Sequence, residues 1–551
     1  MTKASALRRL SFRVCVSTLF FFTIASQAEQ RPIMTAHVPA AVSSGVAPLV
    51  GNLPAAQRLS LAISLPLRNQ AELDDLLRQI YDPQSPSYHQ YLSVKDFTSR
   101  FGPAASDYAA ILDFARNNGL DVIDTAANHL VVDVEGPAAY IESAFHISLN
   151  LYQHPTESRT FYAPDREPSV DLDVPVLHIS GLDNFTLPHA KNIRSAQTLN
   201  NASKTTGSGP GGDFIGSDMR AAYYGAGKLT GVGQSVGLFE YAGYEISDVQ
   251  NFFKQVKEPL KVPVKGVSLN GVSLNCPPKT CDDSEQVLDI EMAISMAPQL
   301  EQVVVYVGNN DVSIFNQMAV DNTSKQLSCS WGWSDDESSL DPIFKEMAAQ
   351  GQSVFVATGD QGSSTPGDVV WPADDPYITA VGGTDLTTTG PGGAWLSETG
   401  WNGSAGMPSK NKIPIPSYQK LAGVITALND GSKTLRNIPD VAAEANTNQY
   451  SCYDGGCSGG NGGTSYAAPQ WAGFIALANQ QATTAGKAPL GFLNPALYAI
   501  GVGTNYDSDF HDITKGNNGQ YSAVTGYDLV TGWGSPTGPD LIMALIRSID
   551  E

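Results

Sequence analysis

The sequence predicts an α/β protein, a mainly parallel sheet with helices on both faces, preceded by a smaller α+β domain. From about Phe214 onward, continuous apolar runs at 235–241, 302–307, 326–330, 353–358 and 377–381 alternate with helical or loop segments. Strands apolar on both sides belong in a sheet that is covered twice. Residues 53–186 have another texture: alternation over 59–65 and 129–134, and helical patterns over 70–81, 108–118 and 137–145. That order reads as two helices on an antiparallel sheet. Between the two regions the chain is polar, rich in glycine and serine and without periodicity, ending SKTTGSGPGG at Gly212. Residues 187–213 therefore read as a linker, where proteolytic nicks concentrate.

Taken in order, residues 1–28 have the layout of a secretory signal. Arg8, Arg9 and Arg13 precede an apolar run over 14–24, and Ser26-Gln27-Ala28 supplies a small-residue cleavage site. The run is too short to span a bilayer, so an exported protein is expected. The 551 residues carry a formal net charge of −22, which excludes nucleic acid and anionic membrane as partners, since both select a basic footprint. A monomer is expected. Residues 53–186 hold no cluster of catalytic residue types. Gly231-x-Gly233 stands before the first strand of the α/β region rather than after it, so it is no dinucleotide-binding turn.

The six cysteines are Cys15 in the leader, a lone Cys329 in an apolar run, and two Cys-x4-Cys pairs, Cys276/Cys281 and Cys452/Cys457. In an exported chain the pairs most simply close two short disulfide loops; a four-cysteine zinc site is the alternative. Cys329 reads as a buried thiol.

Chemistry concentrates in three places. Glu285 and Asp289 lie one turn apart on one face of a helix that runs to about Ala297 and is stopped by Pro298. They form either a solvated acidic helix start or a coupled pair sharing a proton, which yields a base usable in acid. Of the eight histidines only His511 lies beyond the linker, so a hydrolase here uses that residue as base or a carboxylate. Asp360 follows the strand at 353–358, at a carboxyl end where catalytic groups gather in parallel sheets; it is a turn residue or, kept protonated, a donor to an oxyanion. Ser465, in Gly462-Gly463-Thr464-Ser465, opens a helical segment. It is an N-cap or a nucleophile beside the positive end of the helix dipole.

Together these stretches resemble the sedolisin family of serine-carboxyl peptidases. The matching residues are Glu285-x3-Asp289-Ile290-Glu291, Ser330-Trp331-Gly332, Gly359-Asp360-x-Gly362, WPADDPYITAVGGT at 371–384, Gly463-Thr464-Ser465-x3-Pro469, and FHDIT with TGYDLVTGWGSP near the C-terminus. DPQSPSYHQYLS at 82–93 is similar to the family's propeptide. The resemblance implies a subtilisin-like sheet in 214–551, a ferredoxin-like prodomain at 53–186 acting as an intramolecular inhibitor, and processing within 187–213. It implies Ser465 as nucleophile, Glu285 as general base, Asp289 as its partner and Asp360 as the oxyanion acid, with Glu240 and Trp331 extending the hydrogen-bond chain. Gln361 departs from the serine usual in relatives. It also implies one Ca²⁺ held by the carboxylates of Asp512 and Asp528 and the carbonyls of Ile513, Val524 and Gly526, hard oxygen ligands that suit that ion. The activity so implied is secreted endopeptidase action on proteins or peptides in acid. A tripeptidyl-peptidase, a subtilisin-like enzyme using His511, and a degenerate calcium-dependent binding protein are the alternatives.

Overall fold

The computed structural model describes residues 31–32, 37–194, 206–333, 337–363 and 371–547; the signal-like leader at 1–28 and linker residues 195–205 lie outside the described residues. In chain order the N-terminal domain runs β1 (Leu49–Asn52), β2 (Arg58–Ser64), α1 (Gln70–Ile80), α2 (Val94–Arg100), α3 (Ala105–Asn117), β3 (Asp121–Thr125), β4 (Val131–Pro137), α4 (Ala138–Phe145), β5 (Leu149–Gln153), β6 (Thr160–Pro164) and β7 (His178–Ser180). Strands β3-β4-β2-β7 form an antiparallel sheet. Ile111 and Phe114 of α3 and Ile141 and Phe145 of α4 bury against Leu61, Ile63, Val132 and Val134, the two expected helices on the expected sheet. A second sheet, β1-β5-β6, was not legible from the sequence.

The linker does not begin as irregular chain. It enters as two short strands, β8 (His189–Ala190) and β9 (Ile193–Arg194), because the following domain offers strand edges and the pairing is made by backbone, to which polar side chains are indifferent.

That domain continues α5 (Gly216–Tyr223), β10 (Ser235–Glu240), α6 (Ile246–Gln255), β11 (Val264–Ser268), α7 (Ser284–Met296), β12 (Gln302–Val307), α8 (Asp311–Asp321), β13 (Gln326–Cys329), β14 (Trp331–Gly332), α9 (Glu337–Ala349), β15 (Ser353–Ala357), β16 (Thr379–Thr388), β17 (Trp395–Gly400), β18 (Val441–Glu444), β19 (Gln449–Tyr453), β20 (Gly456–Gly462), α10 (Thr464–Thr484), α11 (Asn494–Gly501) and α12 (Pro539–Arg547). The main sheet has the order β11-β12-β10-β13-β15-β16-β17, with β18 beside β16, and only β17 runs antiparallel.

Helix α7 is buried along its whole length and α10 nearly so, which is why neither shows a strong amphipathic stripe. They meet at Gly473, where a Cβ would stand 2.8 Å from Met296 Cβ and 3.1 Å from the Ala293 carbonyl oxygen. This close approach lies at the last turn of α7 and the middle of α10.

The N-terminal domain rests on α8 and α9. Tyr81 donates to the Ala348 carbonyl at 2.7 Å and accepts from the Phe492 amide at 2.8 Å. Asn128, fully buried, donates to Asn316 at 2.6 Å and to Glu346 at 2.7 Å, and Ser313 donates to Asp133. Burial pushes the Glu346 carboxyl up to about 8 and that of Asp133 to about 6. Each is raised by docking, so docking is favoured fully below the ordinary carboxyl range and loses support as pH climbs through the raised values, by up to about 1.4 kcal/mol per pH unit and group. In a full-length Ser465→Ala chain, hydrogen-exchange protection of the 128–134 amides, corrected for intrinsic rate, should fall between about pH 5 and about pH 8. Adding Glu346→Gln should flatten that fall; equal slopes in both proteins would refute the assignment.

Candidate active site

Parallel strands deliver side chains at their carboxyl ends, and here several converge. Glu240 is the last residue of β10, Ser330 and Trp331 follow β13, and Asp360 stands three residues beyond β15. Across from them, α7 contributes Glu285 and Asp289, and α10 presents Ser465 in its first turn.

Glu240, Glu285 and Asp289 are 0%, 2% and 0% exposed, so the solvated helix start does not hold. Trp331 Nε1 donates to Glu240 at 2.9 Å, and Ser330 Oγ donates to Asp289 at 2.8 Å. Burial raises all three carboxyls well above their ordinary values. For Glu285 the neighbouring Asp289 charge adds to this, and the nearby Ser465 and Ser330 hydroxyls oppose it. For Glu240 and Asp289 the second cause is charge repulsion, in Glu240 from Glu285 and in Asp289 from Glu240. Glu240 Oε1 and Asp289 Oδ2 are buried without a hydrogen-bond partner among the described residues, so two charges there would stand unscreened and the neutral forms are favoured.

Ser465 is fully buried, its hydroxyl 3.3 Å from the Ser330 carbonyl. Its backbone N–H donates to the Lys191 carbonyl at 3.0 Å, and the Lys191 N–H donates to the Ser330 carbonyl at 2.9 Å. Asp360 accepts from the Thr464 amide at 2.7 Å and its hydroxyl at 2.9 Å. A Cβ on Gly463, whose φ is +122°, would lie 2.4 Å from the Lys191 carbonyl oxygen and 2.7 Å from Asp360 Oδ2. Only glycine leaves that corner open, and through it the acid, the serine amide and the linker carbonyl come together. On one side of Lys191, β8 pairs antiparallel with β14, Ala190 opposite Trp331; on the other, β9 pairs antiparallel with β20, Ile193 opposite Gly462. Lys191 itself is 4% exposed.

The remaining expectations fall out as follows. Cys276–Cys281 and Cys452–Cys457 are disulfides, which removes the zinc alternative, and Cys329 is a buried free thiol. His511 stacks coplanar on Trp395 with ring centres 3.9 Å apart and makes no hydrogen bond to Ser465 or Glu285; burial lowers it to about 4. It is not the base. Among the described residues no group of three or more His, Cys, Asp or Glu side chains is arranged to hold a metal. The expected Ca²⁺ set is two carboxylates and three carbonyls, and the surroundings fit it in part: Asp528 accepts from the Val524, Val530 and Thr531 amides and Asp512 from the Tyr506 hydroxyl, while the carbonyls stand open. Asp528 is fully buried, Asp512 accepts from the Gly526 amide, and no donor among the described residues ends on the carbonyls of Ile513, Val524 or Gly526. Sequence reasoning missed Ser330, Thr464 and Lys191 as members of the site. Ser330 and Thr464 stood inside quoted motifs, but serine and threonine are too common beside glycine to signal a role.

Comparison with known proteins bears directly on this arrangement. Residues 47–185 match the family described as "Pro-kumamolisin, activation domain", and 268–491 match the "Subtilase family". The chain is 31% identical to kumamolisin of Bacillus sp. (strain MN-32), over 95% of this chain and 98% of that one. The chain belongs to the sedolisin family. It is also 27% identical to sedolisin of Pseudomonas sp. (strain 101), over 90% of this chain and 89% of that protein. Identity to "Tripeptidyl-peptidase sed1" of Aspergillus fumigatus is 25%, over 89% of this chain and 94% of that protein. The solved Pseudomonas sedolisin, a serine-carboxyl proteinase in complex with pseudo-iodotyrostatin, superposes with a TM-score of 0.51 at 27% identity, covering 63% of this chain and 99% of that one. The protein is thus a sedolisin-family serine-carboxyl peptidase made with an activation domain.

Ser330→Ala removes the donor to Asp289 but keeps the carbonyl that receives the Lys191 amide. Steady-state kinetics should show kcat lowered by roughly 3- to 15-fold, the equivalent of one hydrogen bond, with KM nearly unchanged. A rise confined to KM would place Ser330 in binding rather than in the carboxyl network.

Proposed function

We propose that this protein is a secreted, acid-active serine-carboxyl endopeptidase, and that its first substrate is its own linker at Lys191–Asn192. The observation that carries this is the Lys191 carbonyl resting on the Ser465 N–H beside Asp360, with chain paired to the cleft on both sides.

In this reading Ser465 Oγ attacks the Lys191 carbonyl carbon while its proton passes to Glu285. The oxyanion is held by the Ser465 N–H and a protonated Asp360. Collapse breaks the Lys191–Asn192 bond, and Glu285 returns the proton to the departing Asn192 amine. Water then repeats the sequence on the acyl-enzyme, releasing a chain that ends at Lys191. Asp289 orients Glu285, and Glu240, held by Trp331, extends the carboxyl network behind them. Bound Ca²⁺ would supply structural cross-linking of the C-terminal loops through Asp512, Ile513, Val524, Gly526 and Asp528, away from the acylation step.

Endopeptidase action is favoured over tripeptide release because the chain continues upstream of His189 through Pro188 and Leu187. The third residue before the cut therefore needs no free amino terminus. Secretion is supported by the leader at 1–28 and by both disulfides being formed. The reading as a degenerate binding protein is disfavoured by the presence of all four catalytic candidates in the chain, Glu285 and Asp289 buried on α7 and Asp360 on the Thr464 amide next to Ser465.

Purified full-length protein incubated at about pH 4 should yield a new amino terminus at Asn192, whereas Ser465→Ala stays whole and wild type at about pH 7 is slow. The sign follows from the raised carboxyls. Burial raises Glu240, Glu285 and Asp289, so they hold protons through the acid range, and rising pH strips the proton shared by Glu285 and Asp289 and sets like charges side by side. Cleavage at another bond, or a rate that climbs through neutrality, would count against the proposal. Separately, EDTA should lower the melting temperature of the mature enzyme by several degrees, the loss of roughly 1–3 kcal/mol of ligand stabilisation. Asp528→Asn should melt alike with and without added Ca²⁺; a calcium-independent wild type would remove the metal from this account.

A further inference from the structure

The hairpin β19–β20 leads straight into Gly463 and Ser465, and its outer strand has two partners, β19 on one edge and linker strand β9 on the other. With the linker gone, the second edge of β20 is open to another extended chain, a mode in which backbone hydrogen bonds supply affinity.

The hairpin is tied down unusually well. Cys452–Cys457 closes it across paired positions. Glu291, fully buried on α7 two residues beyond Asp289, accepts from Ser451 Oγ at 2.6 Å and from the Cys452 N–H at 3.3 Å. At the tip, Asp283 accepts from the Asp454 N–H at 3.1 Å and Asp248 from the Gly455 N–H at 3.0 Å. The other disulfide loop adds the Lys279 N–H, which donates to Asp454. The helix that carries Glu285 and Asp289 and the strand that receives Ile193 and Arg194 are therefore one braced unit. None of these contacts touches the reacting atoms.

We propose that β20 is the binding strand for the substrate residues that follow the scissile bond, and that Glu291 is the positioning residue that sets its register against Ser465. This rests on the reading of Ser465 as nucleophile and Lys191–Asn192 as the bond in register. It names a substrate class: polypeptides extending at least three residues past the cut, held there by main chain and so with little side-chain preference at the second and third positions. Glu291 holds β19 by a backbone amide and the hydroxyl beside it, and β20 follows through its pairing with β19 and the Cys452–Cys457 bridge, whereas an apolar residue would leave the Cys452 N–H without an acceptor.

The test uses self-processed wild-type enzyme and a ladder of quenched fluorescent peptides with one, two, three or four residues after the cleaved bond. kcat/KM should rise at least about tenfold from one residue to three, the worth of one or two backbone hydrogen bonds, and by less than about twofold from three to four. N-methylation of the second and third peptide bonds beyond the cut should cancel the gain. Glu291→Gln keeps an acceptor for the Cys452 N–H and should keep the gain. Glu291→Leu should lose it, its ratio of kcat/KM between the three-residue and one-residue peptides falling to within about twofold of unity whatever its absolute rate. A flat ladder in an active wild type overturns the inference, as does an equal loss by Glu291→Leu on short and long peptides. Wild type that cleaves no peptide overturns the peptidase reading first, and this inference with it.

Discussion

Burying three carboxyl groups side by side is the constraint around which this molecule is built. Glu240, Glu285 and Asp289 lose their water together, and each holds its proton more tightly because of it. Such a cluster is tolerable only where protons are shared and donors are fixed. The sheet supplies the donors, Trp331 and the Ser330 hydroxyl, from the turn after β13. Helix α7 supplies Glu285 and Asp289 and strand β10 supplies Glu240, while the bare backbone of Gly473 lets α10 pack closely on the last turn of α7.

Much of this was legible in sequence because the chemistry is carried by local signals: Glu285 and Asp289 one turn apart, Asp360 after an apolar strand, Ser465 after two glycines. Five of the seven parallel strands were found for the same reason, by their apolar runs; half-exposed β11 and the short β18, VAAE, carry no such run and were not. What stayed hidden is non-local. Glu240 and Trp331, 91 positions apart, were reached only through the family resemblance, since they meet because β13 lies next to β10 and no local pattern links them. The prodomain's second sheet is made of short strands whose partners are distant in sequence. Linker residues 189–194 carry no strand pattern because backbone pairing to a waiting edge requires none.

The prodomain interface adds a tension. Glu346 and Asp133, buried where Asn128 and Ser313 reach them, favour docking in acid, the condition the carboxyl cluster also favours. In the proposed reading acid does not pry the prodomain off through these groups. Covalent separation comes first, and the freed domain leaves more readily when the medium is less acid or when it is itself digested.

The seat of Lys191 on the Ser465 N–H has a kinetic meaning. A bond already lodged in its own cleft reacts as a unimolecular species, so its half-life would be the same in a concentrated secretion as at extreme dilution. The cleft would be blocked to any neighbour until that one turnover is complete. Each molecule would then carry its own clock, started by protons and not by encounter.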